Sequence, residues 1–146
     1  MGRLLIAIGI VLAQGCSSIE EPGTYYRSRQ DLVADNAIAR GWIPPWLPAS
    51  AHEINEAHNV DTNETWMQFK LDADDLLIIN DCRKDNTTTF SRARGPRSKH
   101  RSWWVKSEAP DWQGYTCRWE RDGKAREAKM LVSKDKGLTL YWEEGH

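Results

Sequence analysis

The amino terminus of the chain is an apolar run that stops abruptly at a cysteine. Arg3 precedes residues 4–13 (LLIAIGIVLA), and Gln14-Gly15-Cys16 follows them. A basic start, a short apolar stretch and a small residue before the cleavage point are typical of a secretory signal peptide. A membrane-spanning helix needs about 20 apolar residues, so this run is too short to span. A buried core helix is the alternative, which the glycines disfavour. We therefore expect residues 1–15 to be removed.

Cys16 ends the stretch Leu12-Ala13-Gln14-Gly15-Cys16, which resembles the bacterial lipobox. The usual lipobox has Leu three places before the cysteine, where this chain has Ala13. The resemblance implies that the Cys16 thiol is diacylated and that the new amino terminus carries an acyl chain such as palmitate. Two or more chains, at about 0.8 kcal/mol per buried methylene, anchor a protein stably. By analogy with Gram-negative lipoproteins, Ser17 favours the periplasmic face of the outer membrane.

The number of cysteines also bears on the lipid assigned to Cys16. The chain holds three cysteines. If a lipid occupies Cys16, Cys82 and Cys117 form an even pair, which favours a disulfide bond in an oxidising compartment. That bridge would close a loop of about 36 residues and stabilise the domain by about 4 kcal/mol in the chain-entropy description. Two unpaired buried cysteines are the alternative.

Composition limits the number of domains and the classes of partner. A chain of 146 residues with 40% apolar content can build one core, so we expect one domain. The formal net charge is −1 and becomes −2 once Arg3 leaves with the signal. No overall positive field therefore favours a nucleic acid as partner. The eight tryptophans are expected mainly in core packing, with one or two available to a binding surface.

The mature chain is predicted to begin with a polar tether and a helix. Residues 16–27 contain acids, Pro and Gly without apolar periodicity, which suits a spacer between the lipid and a domain at 28–146. Ser28 and Asp31 resemble a capping box, and apolar residues then recur at helical spacing until Arg40-Gly41. We expect the first helix over this range.

A second helix is predicted after a proline-rich connection. Three prolines in residues 42–48 forbid a regular helix or a central strand and favour an extended, packed segment. Ser50 and Glu53 resemble another capping box, which predicts a short helix as far as about His58.

A strand, a helix and a loop are predicted next. Apolar and polar residues alternate over residues 64–71, which predicts a half-buried strand. Asp72 then precedes a predicted short helix over residues 73–79. Residues 83–101 have no periodicity and are rich in Thr, Ser, Arg and Gly, so we expect a long surface loop.

The carboxy-terminal part predicts a three-stranded meander. Alternating stretches at residues 115–121, 128–133 and 138–142 are separated by the turn signals Asp122-Gly123 and Lys136-Gly137. Helices before strands favour an α+β domain, with two or three short helices packed on an antiparallel sheet. Cys117 lies on the first meander strand, so a bond to Cys82 would fasten the preceding helix to the sheet.

Two sets of residues carry a family resemblance, which is most specific at His58-Asn59 and Asp61-Thr62-Asn63. The first set is Gly41, Trp42, Ile43, Pro44, Leu47, Pro48, Ser50, Ala51, Ile54, Glu56, His58, Asn59, Asp61, Thr62, Asn63, Trp66 and Phe69. The second set is Trp103, Trp104, Tyr115, Cys117, Tyr141 and Trp142. In this order and spacing they resemble a family of small, uncharacterised bacterial envelope lipoproteins. The resemblance implies one envelope domain and carries over no catalytic residue.

Imidazoles and carboxylates cluster between positions 52 and 61, which raises metal-dependent binding or catalysis as a hypothesis. On the predicted helix, His52 and Glu56 lie one turn apart on one face. His52 and His58 are about 240° apart around a helix, so they cannot face one ion unless the chain turns. A zinc site needs three or four converging ligands. We therefore expect no metal and no cofactor, and a site built on His52, Glu56, His58 and Asp61 is the alternative.

A structural role is the preferred interpretation of His58, Asn59, Asp61 and Asn63. A calcium loop would need a glycine and a distal bidentate Glu, which the residues after Asn63 lack. Short polar side chains instead favour hydrogen bonds to backbone N–H groups, here where the second helix turns into the first strand. If the domain has a site, these four residues are its first candidates.

The predicted loop ends in a basic and aromatic stretch. Its members are Arg92, Arg94, Arg97, Lys99, His100, Arg101, Trp103 and Trp104. Indoles favour membrane interfaces, and each cation near an anionic surface contributes about 1 kcal/mol. A solvated loop with its tryptophans in the core is the preferred interpretation. The alternative is that these residues contact a membrane or a protein partner.

Two functional hypotheses from different classes remain. The sequence has no G-x-S-x-G elbow, no Gly-rich phosphate loop and no free reactive cysteine, so we expect no catalytic residue. The first hypothesis is a non-catalytic envelope module, anchored through Cys16, that binds or assembles with an envelope protein. The second is a periplasmic metal-dependent binder or enzyme.

Overall fold

Strands dominate the computed structural model, which describes residues 21–72, 75, 80–97, 99–105 and 110–145. The strands in these residues are β1 (Gly23–Ser28), β2 (His52–His58), β3 (Thr65–Lys70), β4 (Cys82–Lys84), β5 (Trp112–Arg121), β6 (Lys124–Ser133) and β7 (Leu138–Glu143). The helices are α1 (Arg29–Ala34) and α2 (Ala37–Arg40), with 3-10 helices at Phe90–Arg92 and Lys99–Ser102. The strands form one antiparallel sheet in the order β1-β2-β3-β7-β6-β5-β4. The fold is therefore more sheet-dominated than the predicted α+β arrangement.

The carboxy-terminal meander is confirmed, with longer strands than the sequence predicts. Strands β5 and β6 pair from Trp112↔Ser133 to Arg121↔Lys124, and β6 then pairs with β7. Asp122 and Gly123 both adopt positive φ, 51° and 70°. Such a two-residue turn matches the twist of the flanking strands, which explains why the Asp-Gly signal predicts this hairpin correctly.

The first capping box is confirmed, but the helix behind it is split in two. The Ser28 hydroxyl accepts from the Asp31 N–H, and the Asp31 carboxylate accepts from the Ser28 N–H. Helix α1 ends at Ala34, because Asn36 takes a left-handed conformation before α2 begins. Gly41, with φ 86°, ends α2 as the sequence predicts.

The predicted second helix is wrong, because residues 52–58 form strand β2. This strand lies between β1 and β3 and pairs with both. The Ser50 hydroxyl, which would cap a helix, makes no hydrogen bond with the described residues. A bulge between His52 and Asn55, with Glu53 at φ 49°, interrupts the register. Pairing on both sides overrides a local capping pattern, whose contribution to stability is small.

Part of the range predicted as a tether is a strand, because Gly23–Ser28 forms β1 at one edge of the sheet. Tyr26 from this strand is buried in the core, and its hydroxyl donates to Asp35 at 2.7 Å. One buried residue in six gives no periodicity, so the strand carries little sequence signal. The predicted signal peptide and Cys16 lie outside the described residues.

The predicted strand at 64–71 is confirmed as β3, but the loop predicted for 83–101 begins inside β4. The disulfide Cys82–Cys117 is confirmed. It joins directly opposed residues of β4 and β5, so it links two neighbouring strands and not a helix to the sheet. The predicted helix over residues 73–79 lies outside the described residues except for Asp75.

Each face of the sheet has its own core. On one face Leu32 of α1, Ile43 and Leu47 pack on Phe69 and Tyr141. On the other face, the segment 90–105 packs against Trp66, Leu131, Leu140 and Trp142 through Trp104. The described part of the chain holds no helix with the length and apolar character that a membrane crossing requires.

Candidate functional site

A buried acid and an imidazole lie side by side on β2. Glu56 and His58 are two residues apart and therefore point to the same face of the sheet. Nδ1 of His58 lies 2.6 Å from Oε1 of Glu56, and the Glu56 side chain is almost fully buried. The His58 ring stacks on the Trp42 indole with centroids 3.8 Å apart and planes 8° apart. A buried carboxylate needs a hydrogen-bonding partner, which His58 supplies to Glu56. The stacked His58 ring in turn holds residues 41–43 against β2.

His52 takes no part in this cluster. Its Nδ1 lies 2.9 Å from the Ser50 carbonyl oxygen. Because residues 52–58 are a strand, the predicted helical face shared by His52 and Glu56 does not exist, and His52 and His58 stand about 20 Å apart along the chain. No group of three or more His, Cys, Asp or Glu suited to a metal ion occurs in the residues that the structure describes.

The loop between β2 and β3 is held by one amide side chain. Oδ1 of Asn59 accepts from the N–H groups of Asp61 and Thr62, each at 2.9 Å. The Asn59 N–H donates to the Glu64 carbonyl, and the Asn63 N–H to the Asn59 carbonyl. Asn63 adopts φ 59°, which Asn tolerates better than most residues. These contacts give Asn59 and Asn63 turn-forming roles, in a β-hairpin where the sequence predicts a helix-to-strand turn.

A second buried carboxylate lies on β7, beside the start of β3. Glu143 on β7 pairs in register with Thr65 and forms an ion pair with Arg126. The Tyr141 hydroxyl lies 3.4 Å from Oε2 of Glu143. Burial, followed by the nearby Glu143 charge, raises the pKa of Tyr141 well above its usual range. These groups connect β6 and β7, and the Glu143 side chain is almost fully buried.

The basic and aromatic stretch divides into a buried part and an exposed part. Trp104 is 6% exposed and belongs to the second core, as the preferred interpretation of this stretch expects, so it is not available to a contact surface. Trp103 is half-buried against the same core. Arg92, Arg94 and Arg97 are exposed, whereas the side chains of Lys99 and Arg101 lie outside the description. The tryptophans therefore fix the segment and the arginines form its outer surface.

The first described residue is docked on this segment. The buried carboxylate of Glu21 accepts from the Arg97 N–H, with distances of 3.1 and 3.4 Å to its two oxygens. The Arg97 guanidinium in turn lies 3.8 Å from Glu64 at the start of β3. Sequence reasoning missed this contact, because its two residues are 76 positions apart.

An open groove of about 480 Å³ runs beside these residues. Arg94 and Arg97 line it together with the acids Asp61, Glu64, Glu143 and Glu144. Both signs of charge therefore meet on one surface. Arg94, Arg97 and Asp61 are the lining residues that the sequence singles out as candidates for a site or a contact.

A second, more basic pocket lies at the β4 edge and was missed by sequence reasoning. Its volume is about 560 Å³, and its lining is Asn80, Asp81, Arg83, Lys84, Asp85, Thr116, Arg118 and Lys129. Asp85 accepts from the hydroxyls of Thr87, Thr88 and Thr116 and from the Thr87 N–H. These hydrogen bonds, the one from Thr116 above all, hold the pKa of Asp85 far below its usual range.

Comparison with known proteins gives one partial match. Residues 20–70, about a third of the chain, are similar to the YbbD head domain. The matched range includes β1 to β3, the two helices and the hairpin loop with Asn59. No curated protein and no solved structure matches the chain.

Proposed function

We propose that the protein is a lipid-anchored module of a bacterial cell envelope, attached through Cys16 and serving a non-catalytic binding or assembly role. The observation that carries this proposal is the Cys82–Cys117 disulfide, which leaves Cys16 as the one cysteine of three outside a bridge. Disulfides persist in oxidising compartments such as the periplasm. The bridge thus supports export, and the remaining cysteine lies where the lipobox resemblance places the lipid.

The contact at Glu21 sets how far the domain can stand from its anchor. Five peptide steps separate Cys16 from Glu21, and an extended chain covers at most about 18 Å in that length. Because Glu21 is docked on Arg97, the surface around Arg94 and Arg97 stays on the membrane side of the domain. The proposed anchor therefore lies closer to the domain than a free spacer over residues 16–27 would allow.

The mixed charge of the groove favours a protein as its occupant. An anionic lipid surface would attract Arg94 and Arg97 but repel Asp61, Glu64 and Glu144, which line the same groove. A protein surface can complement both signs, which gives specificity more than raw affinity. The proposed partner is therefore an envelope protein held at the membrane beside this domain, and the lipid supplies the membrane attachment.

Fractionation of cells tests the anchor. Wild-type protein is expected in the membrane fraction, released by detergent and not by high salt. Cys16→Ser is expected in the soluble fraction with its disulfide intact, because neither Cys82 nor Cys117 is changed. Salt-released wild-type protein, or Cys16→Ser protein that stays with the membrane, would contradict lipid attachment.

Site-specific crosslinking tests the partner. A photoreactive residue at position 94 is expected to capture an envelope protein in intact cells. The matched control is position 124, which is exposed in the β5–β6 hairpin away from the groove. Products that appear equally at both positions, or at neither, would contradict a partner bound in the groove.

A further inference from the structure

The outer edge of β1 takes no part in the anchoring or the partner contact proposed above. Strand β1 is the first in the order of the sheet and pairs with β2 on one side only. Such an edge strand presents a row of backbone N–H and C=O groups with which another strand can pair. We propose that β1 pairs in antiparallel orientation with β1 of a second copy of this chain, so that the two sheets continue into one.

The hydrogen bonds between β1 and β2 determine which backbone groups face outwards. The Pro22 carbonyl accepts from the His58 N–H. In an antiparallel pair, residues that bond to the partner strand alternate with residues that do not. The backbone groups of Thr24 therefore face β2, and those of Gly23 and Tyr25 face away from the sheet. Within the residues that the structure describes, these outward groups have no hydrogen-bond partner.

The two edge strands differ in how well they resist an added strand. Proteins protect a free edge with a very short strand and with charged side chains. Strand β4 has both features, because it holds three residues and two of them are Arg83 and Lys84. Strand β1 holds six residues, of which Arg27 alone is charged, and it contains one Thr and two Tyr, which favour strands. A second strand therefore adds more readily at β1.

The sequence of β1 is complementary to itself about Thr24. When Thr24 lies opposite Thr24 of the second copy, Gly23 of each copy lies opposite Tyr25 of the other. The outward N–H and C=O groups of Gly23 and Tyr25 then bond to each other on both sides of the centre. The Tyr25 side chain is 55% exposed, and it faces a residue that has no side chain to obstruct it. Thr24 is also exposed, and opposed threonines stabilise a strand pair.

The symmetry of this pair places both lipid anchors on one side. The two-fold axis relating two antiparallel edge strands runs perpendicular to the sheet, so the same face of each copy points the same way. The segment 90–105 packs on one of these faces, and Glu21 is docked there on Arg97. Both Cys16 anchors can therefore reach one membrane.

The small size of the contact makes the membrane important. A ladder of about five residues a side is smaller than the 20–30 residues a side of a stable interface. Pairing is therefore weak between copies that are free in solution, whereas two copies held in one membrane meet at a higher effective concentration. The contribution of the membrane rests on the anchor proposed above. The strand pairing itself rests on the register of β1.

Cysteine crosslinking in isolated membranes tests the register. Thr24→Cys is expected to give a covalent dimer on mild oxidation with copper phenanthroline, because directly opposed residues have Cβ atoms about 5 Å apart. Arg27→Cys is the matched control, exposed on the same strand. The two copies of position 27 lie about 20 Å apart along the paired strands, so no covalent dimer is expected. Peptide mapping checks that the dimer is joined at position 24 and that the Cys82–Cys117 bond is unchanged.

Proline substitution at the two edges tests the backbone pairing. Tyr25→Pro, in the Thr24→Cys background, removes an outward N–H group and no hydrogen bond to β2. It is expected to lower the initial rate of dimer formation by about tenfold, because each copy loses one hydrogen bond to the other. Lys84→Pro in the same background is the matched control. The Asp85 N–H donates to the Gly114 carbonyl, so the Lys84 N–H faces outwards at the β4 edge, and an unchanged rate is expected.

Four results would overturn the proposal. The first two are absence of a covalent dimer of Thr24→Cys and equal dimer formation at positions 24 and 27. The third is an unchanged rate in a folded Tyr25→Pro variant. The fourth is crosslinking of position 24 to a different protein, because β1 would then pair with another partner.

Thermal unfolding of each variant checks that the fold is intact. If Tyr25→Pro is unfolded, the comparison of positions 24 and 27 decides alone, since neither substitution changes the backbone donors. Fractionation tests the anchor separately, so a failure of the anchor is distinguishable from a failure of the pairing.

Discussion

The two edges of the sheet are fastened in different ways. Strand β1 pairs with β2 over its length and sends Tyr26 into the core, where Leu32 of the adjoining helix is also buried. Strand β4 has three residues, of which Arg83 and Lys84 are exposed, and it is held by a disulfide and by Asp85. A short edge strand buries too little apolar surface to hold itself. Covalent and polar contacts therefore replace apolar packing at β4.

The two edges also differ in the surfaces that lie near them. The β1 edge belongs to residues 20–70, the range similar to the YbbD head domain, and Glu21 beside it accepts a hydrogen bond from the Arg97 N–H. The β4 edge lies outside that range and presents the basic pocket. The β1 edge contributes apolar packing that holds the domain together. The β4 edge is fixed by a disulfide, which leaves its charged side chains available to solvent.

Removal of the disulfide should have the largest effect on stability. The double variant Cys82→Ala/Cys117→Ala is expected to lower the free energy of unfolding by about 4 kcal/mol, because the unfolded chain is released from a closed loop and gains conformational entropy. Urea denaturation measures the loss. Hydrogen exchange should show reduced protection of the β4 amides at Arg83 and Lys84. The β1 amides should lose only the protection that follows from the lower free energy of unfolding of the whole domain. Equal local opening of both edges would contradict the contrast.

A cavity at the other edge should have the next largest effect. Leu32→Ala removes a fully buried side chain of α1 and is expected to lower the free energy of unfolding by about 3 kcal/mol. Val33→Ala is the control, since Val33 is adjacent in sequence and 46% exposed. It should change stability by less than about 0.5 kcal/mol. Similar losses in both variants would show that apolar packing does not hold the β1 edge.

Acid should weaken the hold of Asp85 on the β4 edge, with a smaller effect. The hydroxyls around Asp85 depress its pKa in the folded protein, so it contributes stability above its unfolded value near 4. That contribution falls as the pH drops below about 4 toward the depressed folded value. The difference in urea midpoint between wild type and Asp85→Asn should therefore shrink from pH 7 to pH 3. Asp81→Asn is the control, and a constant difference for Asp85→Asn would contradict its role.

Local sequence signals predicted the parts of the fold that local chemistry determines. Asp122-Gly123 specifies a hairpin turn through its positive φ angles, and Ser28 with Asp31 specifies a helix start. Parity pairs Cys82 with Cys117 without knowledge of the fold. Each of these signals acts over a few residues or counts residues of one type.

The remaining features depend on contacts that no local pattern reports. The inward side of β2 includes the charged Glu56, so its alternation is hidden and a capping pattern at Ser50 misleads. The pocket depends on the pairing of Arg83 with Thr116 on the neighbouring strand. The contact between Arg97 and Glu21 joins positions that are far apart in the sequence. Sequence reasoning therefore predicted a turn at residues 59–63 and the exposed arginines, but it did not predict the hairpin, the groove or the pocket.

The intact mass of protein extracted from membranes with detergent tests the lipid on Cys16 and the disulfide together. The expected mass is that of residues 16–146, less two hydrogens for the Cys82–Cys117 bond, plus a diacylglyceryl group and one further acyl chain. Reduction should then add two hydrogens and leave the acyl mass unchanged. The mass of the unmodified chain of 146 residues would contradict the lipid anchor.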